Sequence, residues 1–112
     1  MRTDTLIDVV NDGDKLIVNI AGEIDHHSAS KIREKIDNNI HKDIKLLIIS
    51  LEKVNFMDTS GIGLILGRFK KTRELGISMK IVSIPEKIKR IIKLSGIQNL
   101  GILMEYKDDT SN

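Results

Sequence analysis

The stretch around which the chain is organised spans residues 45–70 and reads KLLIISLEKVNFMDTSGIGLILGRFK. Its first part, residues 45–51, is a continuous apolar run, which is typical of an inner strand covered on both faces. Thr59-Ser60-Gly61 then begins a helix that Gly76 ends, since glycine commonly follows a last helical turn. The spacing places Ile62, Ile65, Leu66 and Phe69 on its inner face and Arg68, Lys70, Lys71 and Glu74 outside.

Upstream of this stretch the sequence predicts a hairpin and a helix. Residues 5–11 and 15–21 read as two antiparallel strands, because the turn signal Asp12-Gly13-Asp14 separates them. Asp25 or Ser28 then caps a helix. Its apolar residues recur at three- and four-residue spacing and are Ala29, Ile32, Ile36 and Ile40.

Downstream, residues 78–84 predict a strand, residues 85–95 a helix and residues 100–106 a last strand. The order β-β-α-β-α-β-α-β contains a crossover between residues 46–51 and the strand after Gly76. Such crossovers are right-handed and bring their strands into parallel register or near-neighbour positions. We therefore predict an α/β fold, a mixed β-sheet with packed α-helices.

Composition bounds the function. A chain of 112 residues with 40% hydrophobic and 30% charged residues fits a single domain over residues 1–112, with a core of about residues 5–106 and a polar tail at residues 107–112. With no cysteine, disulfides, thiolate nucleophiles and Cys-based metal sites are excluded. No apolar run approaches a membrane span and no signal core follows the amino end, so we expect a cytoplasmic protein without membrane insertion.

Basic residues are concentrated in one part of the chain. Residues 68–93 carry 9 basic and 2 acidic side chains. The aromatic residues Phe56, Phe69 and Tyr106 are scattered and form no stacking platform, so we expect no direct nucleic-acid binding. The basic set Lys87, Lys89, Arg90 and Lys93 reads most simply as the solvated face of an amphipathic helix, with a binding patch as the alternative.

The segment around Ser60 is the densest candidate site. Thr59 and Ser60 stand at a helix start, where free N–H groups and the helix dipole favour an anion, although either hydroxyl could simply cap the helix. Gly61, Gly63 and Gly67 miss the spacing of a dinucleotide loop, and the P-loop and hydrolase-elbow motifs are absent. Packing between helices explains these glycines better, so no cofactor is predicted.

The three histidines leave two enzymatic alternatives open. A triad would join Ser60 to a histidine and to Asp58 or Asp25 in a small serine hydrolase, since triads are recognised by geometry. Adjacent histidines could also bind a metal, but they point in different directions and lack a third ligand. The histidines are His26, His27 and His41. We predict neither catalytic nor metal-binding residues.

Two motifs carry a resemblance to a known family. Residues 22–29, Gly-Glu-Ile-Asp-His-His-Ser-Ala, and residues 56–70, from Phe-Met-Asp-Thr-Ser-Gly to Gly-Arg-Phe-Lys, resemble the STAS-domain anti-sigma factor antagonists. The resemblance runs from about Leu6 to Tyr106. The Asp-His-His run and both flanks of the second motif look most like the sporulation branch, and the general-stress antagonists are the alternative. Ile24 and Thr59 depart conservatively from the sporulation pattern.

The resemblance implies a partner-switching protein with no chemistry of its own. Such antagonists, monomeric when free, bind an anti-sigma factor that is a serine kinase with bound ADP or ATP, and so release the sigma factor. Phosphorylation inactivates them and a PP2C-type phosphatase resets them. The resemblance places the phosphate on Ser60 rather than on Thr59, which we expect to face the fold. The implied partner-binding residues are Asp25, Thr59, Ser60, Gly61 and Ile62. Gly61 is expected to leave room for the kinase.

Overall fold

The amino-terminal hairpin forms where the turn residues predict it. In the computed structural model, which describes residues 5–103, β1 spans Leu6–Asp12 and β2 spans Lys15–Ile24. The two strands pair antiparallel, and Gly13 between them has a φ of 65°. Glycine adopts this left-handed conformation at no steric cost, which fixes the turn. β2 continues beyond its predicted end at residue 21.

Within residues 5–103, three α-helices, two strands and one short 3-10 helix follow the hairpin. They are α1 (Ala29–Asn39), β3 (Leu46–Met57), α2 (Thr59–Glu74), β4 (Ser78–Val82), α3 (Glu86–Ser95) and a short 3-10 helix (Ile97–Leu100). The sheet order is β1-β2-β3-β4, and β2, β3 and β4 run parallel. The predicted mixed α/β sheet and the parallel pairing across α2 are therefore confirmed.

The hydrophobic core lies on one face of this sheet. Val18 of β2 is opposite Ile49 of β3, which in turn is opposite Ile81 of β4, and all three are buried. α1 packs on β1 and β2, α2 on β3 and β4, and α3 on β3 and α2. The buried side chains of the three helices join the same apolar cluster as these strand residues. The three helices thus cover one side of the sheet.

The second face of β3 is only partly covered. Leu46, Ile48 and Ser50 alternate with the core residues and are half-buried. The prediction that residues 45–51 are covered on both faces is therefore wrong for the described chain. The apolar run reflects the inner position of β3, since Ile17 and Lys80 on the neighbouring strands flank Ile48 and shield it.

The buried face of α2 also differs from the predicted one. Its buried residues are Gly61, Leu64, Ile65, Arg68 and Thr72. Leu66, predicted inside, is 43% exposed, whereas Arg68, predicted outside, is 8% exposed. Apolar side chains lie on more than one side of α2, so hydrophobicity alone does not select the inner face.

An ion pair makes the burial of Arg68 possible. Its Nη1 lies 3.0 and 3.1 Å from the two carboxylate oxygens of Asp37 on α1, and Lys71 Nζ lies 3.8 Å from the same carboxylate. Burial lowers the pKa of the Arg68 guanidinium, and the Asp37 charge opposes that shift. These contacts join α1 to α2 on the helical side of the sheet.

The end of the described chain returns to β4. Leu103 forms a parallel bridge with Ile81, whose N–H donates to the Ile102 carbonyl at 2.8 Å. The predicted last strand therefore begins later than residue 100, because Leu100 closes the 3-10 helix and Gly101 turns the chain at a φ of 74°. Residues 104–106 and the tail predicted at 107–112 lie outside the described residues. Within residues 5–103 no helix is long and apolar enough to cross a membrane.

Candidate functional site

Two chain connections meet at the carboxyl edge of the parallel strands. Ile24 and Met57, the last residues of β2 and β3, are partners in the sheet register. The N–H of Asp58 donates to the Ile24 carbonyl at 3.3 Å and ties the start of α2 to the end of β2. Asp25 and Ser60 follow on these two connections. The fold therefore places both at one edge, as the family resemblance implies.

Asp25 organises the turn from β2 into α1. Its Oδ1 accepts hydrogen bonds from the N–H groups of His27 and Ser28 at 2.9 and 3.0 Å. In return, Ser28 Oγ accepts from the Asp25 N–H at 3.0 Å and donates to the Glu23 carbonyl at 2.8 Å. This reciprocal pair is a capping box with the carboxylate on the first residue. Both predicted capping residues therefore take part in it.

The first turn of α2 is capped by Asp58. Its side chain accepts from the Ser60 N–H at 2.8 Å, and its carbonyl accepts from the Gly61 N–H at 2.9 Å. The alternative in which Thr59 or Ser60 caps the helix is wrong, because the residue before them supplies the acceptor. Thr59 is exposed, so the expectation that it faces the fold is wrong, while Ser60 is half-buried. Neither hydroxyl side chain is therefore used to cap the helix.

Gly61 serves packing rather than access. It is buried, and a Cβ at this position would overlap the Met57 side chain and come 3.1 Å from Ile24 Cγ2. The Met57 and Ile24 side chains therefore occupy the space where a side chain at position 61 would lie. The expectation that Gly61 makes room for a partner is wrong. Ile62, the next residue, is partly buried against the core.

Gly63 and Gly67 have the opposite environment. A Cβ at either position would meet nothing within 4 Å among residues 5–103. Helix packing therefore does not explain them, contrary to the prediction. A glycine inside a helix costs about 1 kcal/mol relative to alanine, and no packing contact in residues 5–103 accounts for that cost here. Their spacing, three and seven residues after Ser60, puts them on the serine's face of α2, a signal that sequence reasoning missed.

An open groove of about 440 Å³ separates the starts of α1 and α2. Ser60 lines it from α2, and Arg33 lines it from α1. The full lining is His26, Ala29, Ser30, Arg33, Ser60, Gly63 and Leu64. The serine thus borders an open groove beside a cationic side chain. Sequence reasoning missed Arg33 because only the packing of α1 beside α2 brings it to the serine.

Among residues 5–103 the histidines form neither a serine–histidine pair nor a metal-ligand group. His26 lines the groove. The His27 ring packs edge to face against the His26 ring, with ring centroids 5.2 Å apart. His41 lies near Leu75, at the far end of α2. In the described chain no Ser60–histidine hydrogen bond forms and no group of three potential ligands could hold a metal ion. The nucleophile–base pair that a serine hydrolase requires is not formed there.

The basic residues of α3 lie on its outer side. Ile88 and Ile92 face the core, and Lys89 pairs with Glu86 at 3.0 Å. The exposed members of the set are Lys87, Arg90 and Lys93. These residues therefore lie on the exposed face of an amphipathic helix, and a binding patch on this face stays the alternative.

Comparison with known proteins finds similarity along nearly the whole chain. The family model of the STAS domain matches residues 6–107. An anti-sigma F factor antagonist of Paenibacillus polymyxa is 35% identical over 83 residues, which cover 73% of this chain and 71% of the relative. An anti-sigma-B factor antagonist of Bacillus subtilis (strain 168) is 34% identical over 94 residues, covering 84% and 85%.

Solved structures agree with these sequence matches. The anti-sigma factor antagonist SpoIIAA in its unphosphorylated form aligns with a TM-score of 0.77 at 25% identity, covering 88% of this chain and 86% of that chain. The Bacillus cell fate determinant SpoIIAA in the phosphorylated form gives 0.70 at 25% identity, with coverages of 88% and 89%. The fold that the resemblance implies is thereby confirmed.

Proposed function

The chain belongs to the STAS domain family, and from this premise we propose that it is an anti-sigma factor antagonist controlled by phosphorylation of Ser60. The unphosphorylated protein binds, in the cytoplasm, an anti-sigma factor that is also a serine kinase, and this binding releases the sigma factor. The kinase then transfers the γ-phosphoryl group of ATP to Ser60 Oγ, with loss of the hydroxyl proton and formation of ADP. A PP2C-type phosphatase removes the phosphate and restores binding.

The observation that carries this proposal is the position of Ser60. It stands on the first turn of α2 in the Asp58-Thr59-Ser60-Gly61 segment that resembles the family's phosphorylation motif, and its side chain is not used for capping. The surface beside it is open, since Gly63 leaves the α2 face bare. A kinase can therefore approach the hydroxyl without unfolding the helix.

Phosphorylation at this position adds a charge of about −1.5 to −2 at the centre of the proposed interface. The amino end of α2 favours negative charge, so the domain keeps its fold while the complex is lost through repulsion and bulk. Around the serine, Asp25 and Thr59 lie on the same edge and Ile62 adds apolar surface. These residues form the proposed partner surface, and the buried Gly61 positions them by holding the α2 backbone against Met57.

Within this function we propose the sporulation branch, with the general-stress branch as the alternative. The Asp25-His26-His27 run and the flanks of Ser60 support the sporulation branch. The two relatives have similar identity to this chain, 35% for the sigma F type and 34% for the sigma B type. Binding of the protein to anti-sigma kinases of the two types, measured side by side, separates the alternatives.

The test is incubation with the anti-sigma kinase and ATP, followed by intact-mass measurement and phosphopeptide mapping. We expect a gain of one phosphoryl group, located on Ser60. The control variants are Ser60→Ala, which should gain no mass, and Thr59→Ala, which should still be modified. Because Thr59 is more exposed than Ser60, the two variants show whether the kinase selects the position of the hydroxyl rather than its exposure. A phosphate mapped to Thr59 or to Ser28 contradicts the proposal.

A further inference from the structure

A cationic side chain, Arg33, borders the proposed phosphorylation site. Arg33 lines the groove with Ser60, and no carboxylate within residues 5–103 forms a salt bridge with it. Its natural partner on α1 is Asp37, one helical turn further along. That carboxylate is instead occupied by Arg68 and Lys71 of α2. Within residues 5–103, the positive charge of Arg33 on the α1 side of the groove is therefore left without an ion pair.

The surrounding charges make an anion favourable at this point. Arg68 and Lys71 both pair with the carboxylate of Asp37, and the pKa of the Arg68 guanidinium is lowered by burial first and further by the nearby charge of Arg33. An anion in the groove would offset this repulsion. The backbone end of α2 adds its dipole from the other side. Arg33 and the amino end of α2 are thus two independent sources of positive potential at the groove.

We propose that Arg33 binds the phosphoryl group of phosphorylated Ser60 across this groove, an inference that rests on the phosphorylation in the proposed function. The planar guanidinium offers paired N–H donors that suit phosphate oxygens. His26 and Ser30 line the same groove and provide further donors. The bound phosphate then lies within the groove between α1 and α2. The inactive form is then held by an internal contact in addition to repulsion of the partner.

The test uses protein in which phosphoserine is installed at position 60 during translation, so that no kinase is required. The second pKa of the phosphate is followed by ³¹P NMR as the pH is varied. Asp25 and Asp58 lie on the same edge and raise this pKa, while Arg33, protonated His26 and the helix end lower it. Comparison of variants therefore isolates the contribution of Arg33.

We expect Arg33→Gln to raise the phosphate pKa by about 0.5 pH unit relative to the parent, a modest value because the groove is open to solvent. The matched control is Lys35→Gln, which removes an equal charge from another face of α1 and should shift it by less than about 0.1 unit. Both positions are exposed, so both variants should fold. An unchanged pKa in Arg33→Gln, or an equal shift in Lys35→Gln, overturns the inference.

The outcome is separable from that of the proposed function. If the kinase neither binds nor modifies the protein, the proposed function fails while the titration still reports on the groove. If the kinase modifies Ser60 but Arg33→Gln leaves the phosphate pKa unchanged, only the contact with Arg33 is overturned.

Discussion

Asp25 and Ser28 cap each other: the N–H of Ser28 donates to Asp25 Oδ1 at 3.0 Å, and the N–H of Asp25 donates to Ser28 Oγ at 3.0 Å. The pair fixes the turn that presents Asp25 at the same edge as Ser60. Asp25 is thus both a structural residue and a candidate partner contact, and the two roles predict different results.

We expect Asp25→Ala and Ser28→Ala each to lower the free energy of unfolding by about 1 kcal/mol, since each removes one side of the capping box. Asp25→Ala should in addition weaken kinase binding several-fold, because it removes a proposed contact, whereas Ser28→Ala should not. Urea unfolding and calorimetric titration with the kinase measure the two effects. Equal binding by both variants would leave Asp25 with the capping role alone.

The glycines of α2 provide a matched set. Gly61→Ala should destabilise the protein by about 1–3 kcal/mol, because its Cβ overlaps Met57. Gly63→Ala and Gly67→Ala should stabilise it by up to about 1 kcal/mol, because both positions are open and alanine favours the helix.

Chemical unfolding of the three glycine variants checks these signs. If an outside molecule approaches α2 closely, Gly63→Ala should also weaken kinase binding despite its greater stability. A destabilising Gly63→Ala would show that the residue has an internal role.

The ion pair between α1 and α2 predicts a non-additive double mutant. Asp37→Ala should cost about 2–4 kcal/mol, because it leaves the buried Arg68 charge without its carboxylate. Adding Arg68→Met to Asp37→Ala should recover a large part of this loss, since an apolar side chain of similar length then fills the site. Thermal and urea unfolding of the single and double variants measure the coupling. Simple additivity would contradict a direct contribution from the pair.

Local patterns predicted the fold well where a single physical cause dominates. The Asp12-Gly13-Asp14 turn needs a left-handed residue and supplies glycine, and the continuous apolar run of β3 indicates an inner strand. The face of α2 could not be predicted in this way. Its inner side includes Gly61 and Arg68, whose burial depends on Met57 and Asp37 from elsewhere in the chain.

In the candidate site, too, local sequence motifs predict some residues, while others depend on contacts between distant elements. Ser60 and Asp25 were found from motifs that are contiguous in sequence. Arg33 was missed because its relevance arises only when α1 packs beside α2, and Thr59 was assigned to the interior although Asp58 caps the helix and leaves it exposed. Contacts between elements distant in sequence carry the information that periodicity lacks.

The switch itself is tested by separating charge from loss of the hydroxyl at position 60. Ser60→Ala adds neither charge nor bulk, so we expect it to bind the kinase and release the sigma factor without being turned off. Ser60→Asp and Ser60→Glu place a carboxylate in the first turn of α2, where the helix end accepts an anion. They should fold normally yet bind the kinase at least tenfold more weakly.

Melting temperatures of these variants should stay near that of the parent, which makes the binding differences interpretable. The matched control is Thr59→Asp, which adds the same charge one residue away on an exposed side chain. It should weaken binding less than Ser60→Asp if the position of the charge matters as well as its sign. Tight binding by Ser60→Asp and Ser60→Glu together with loss of binding in Ser60→Ala would mean that the partner reads the hydroxyl itself, and the electrostatic account of the switch would then be wrong.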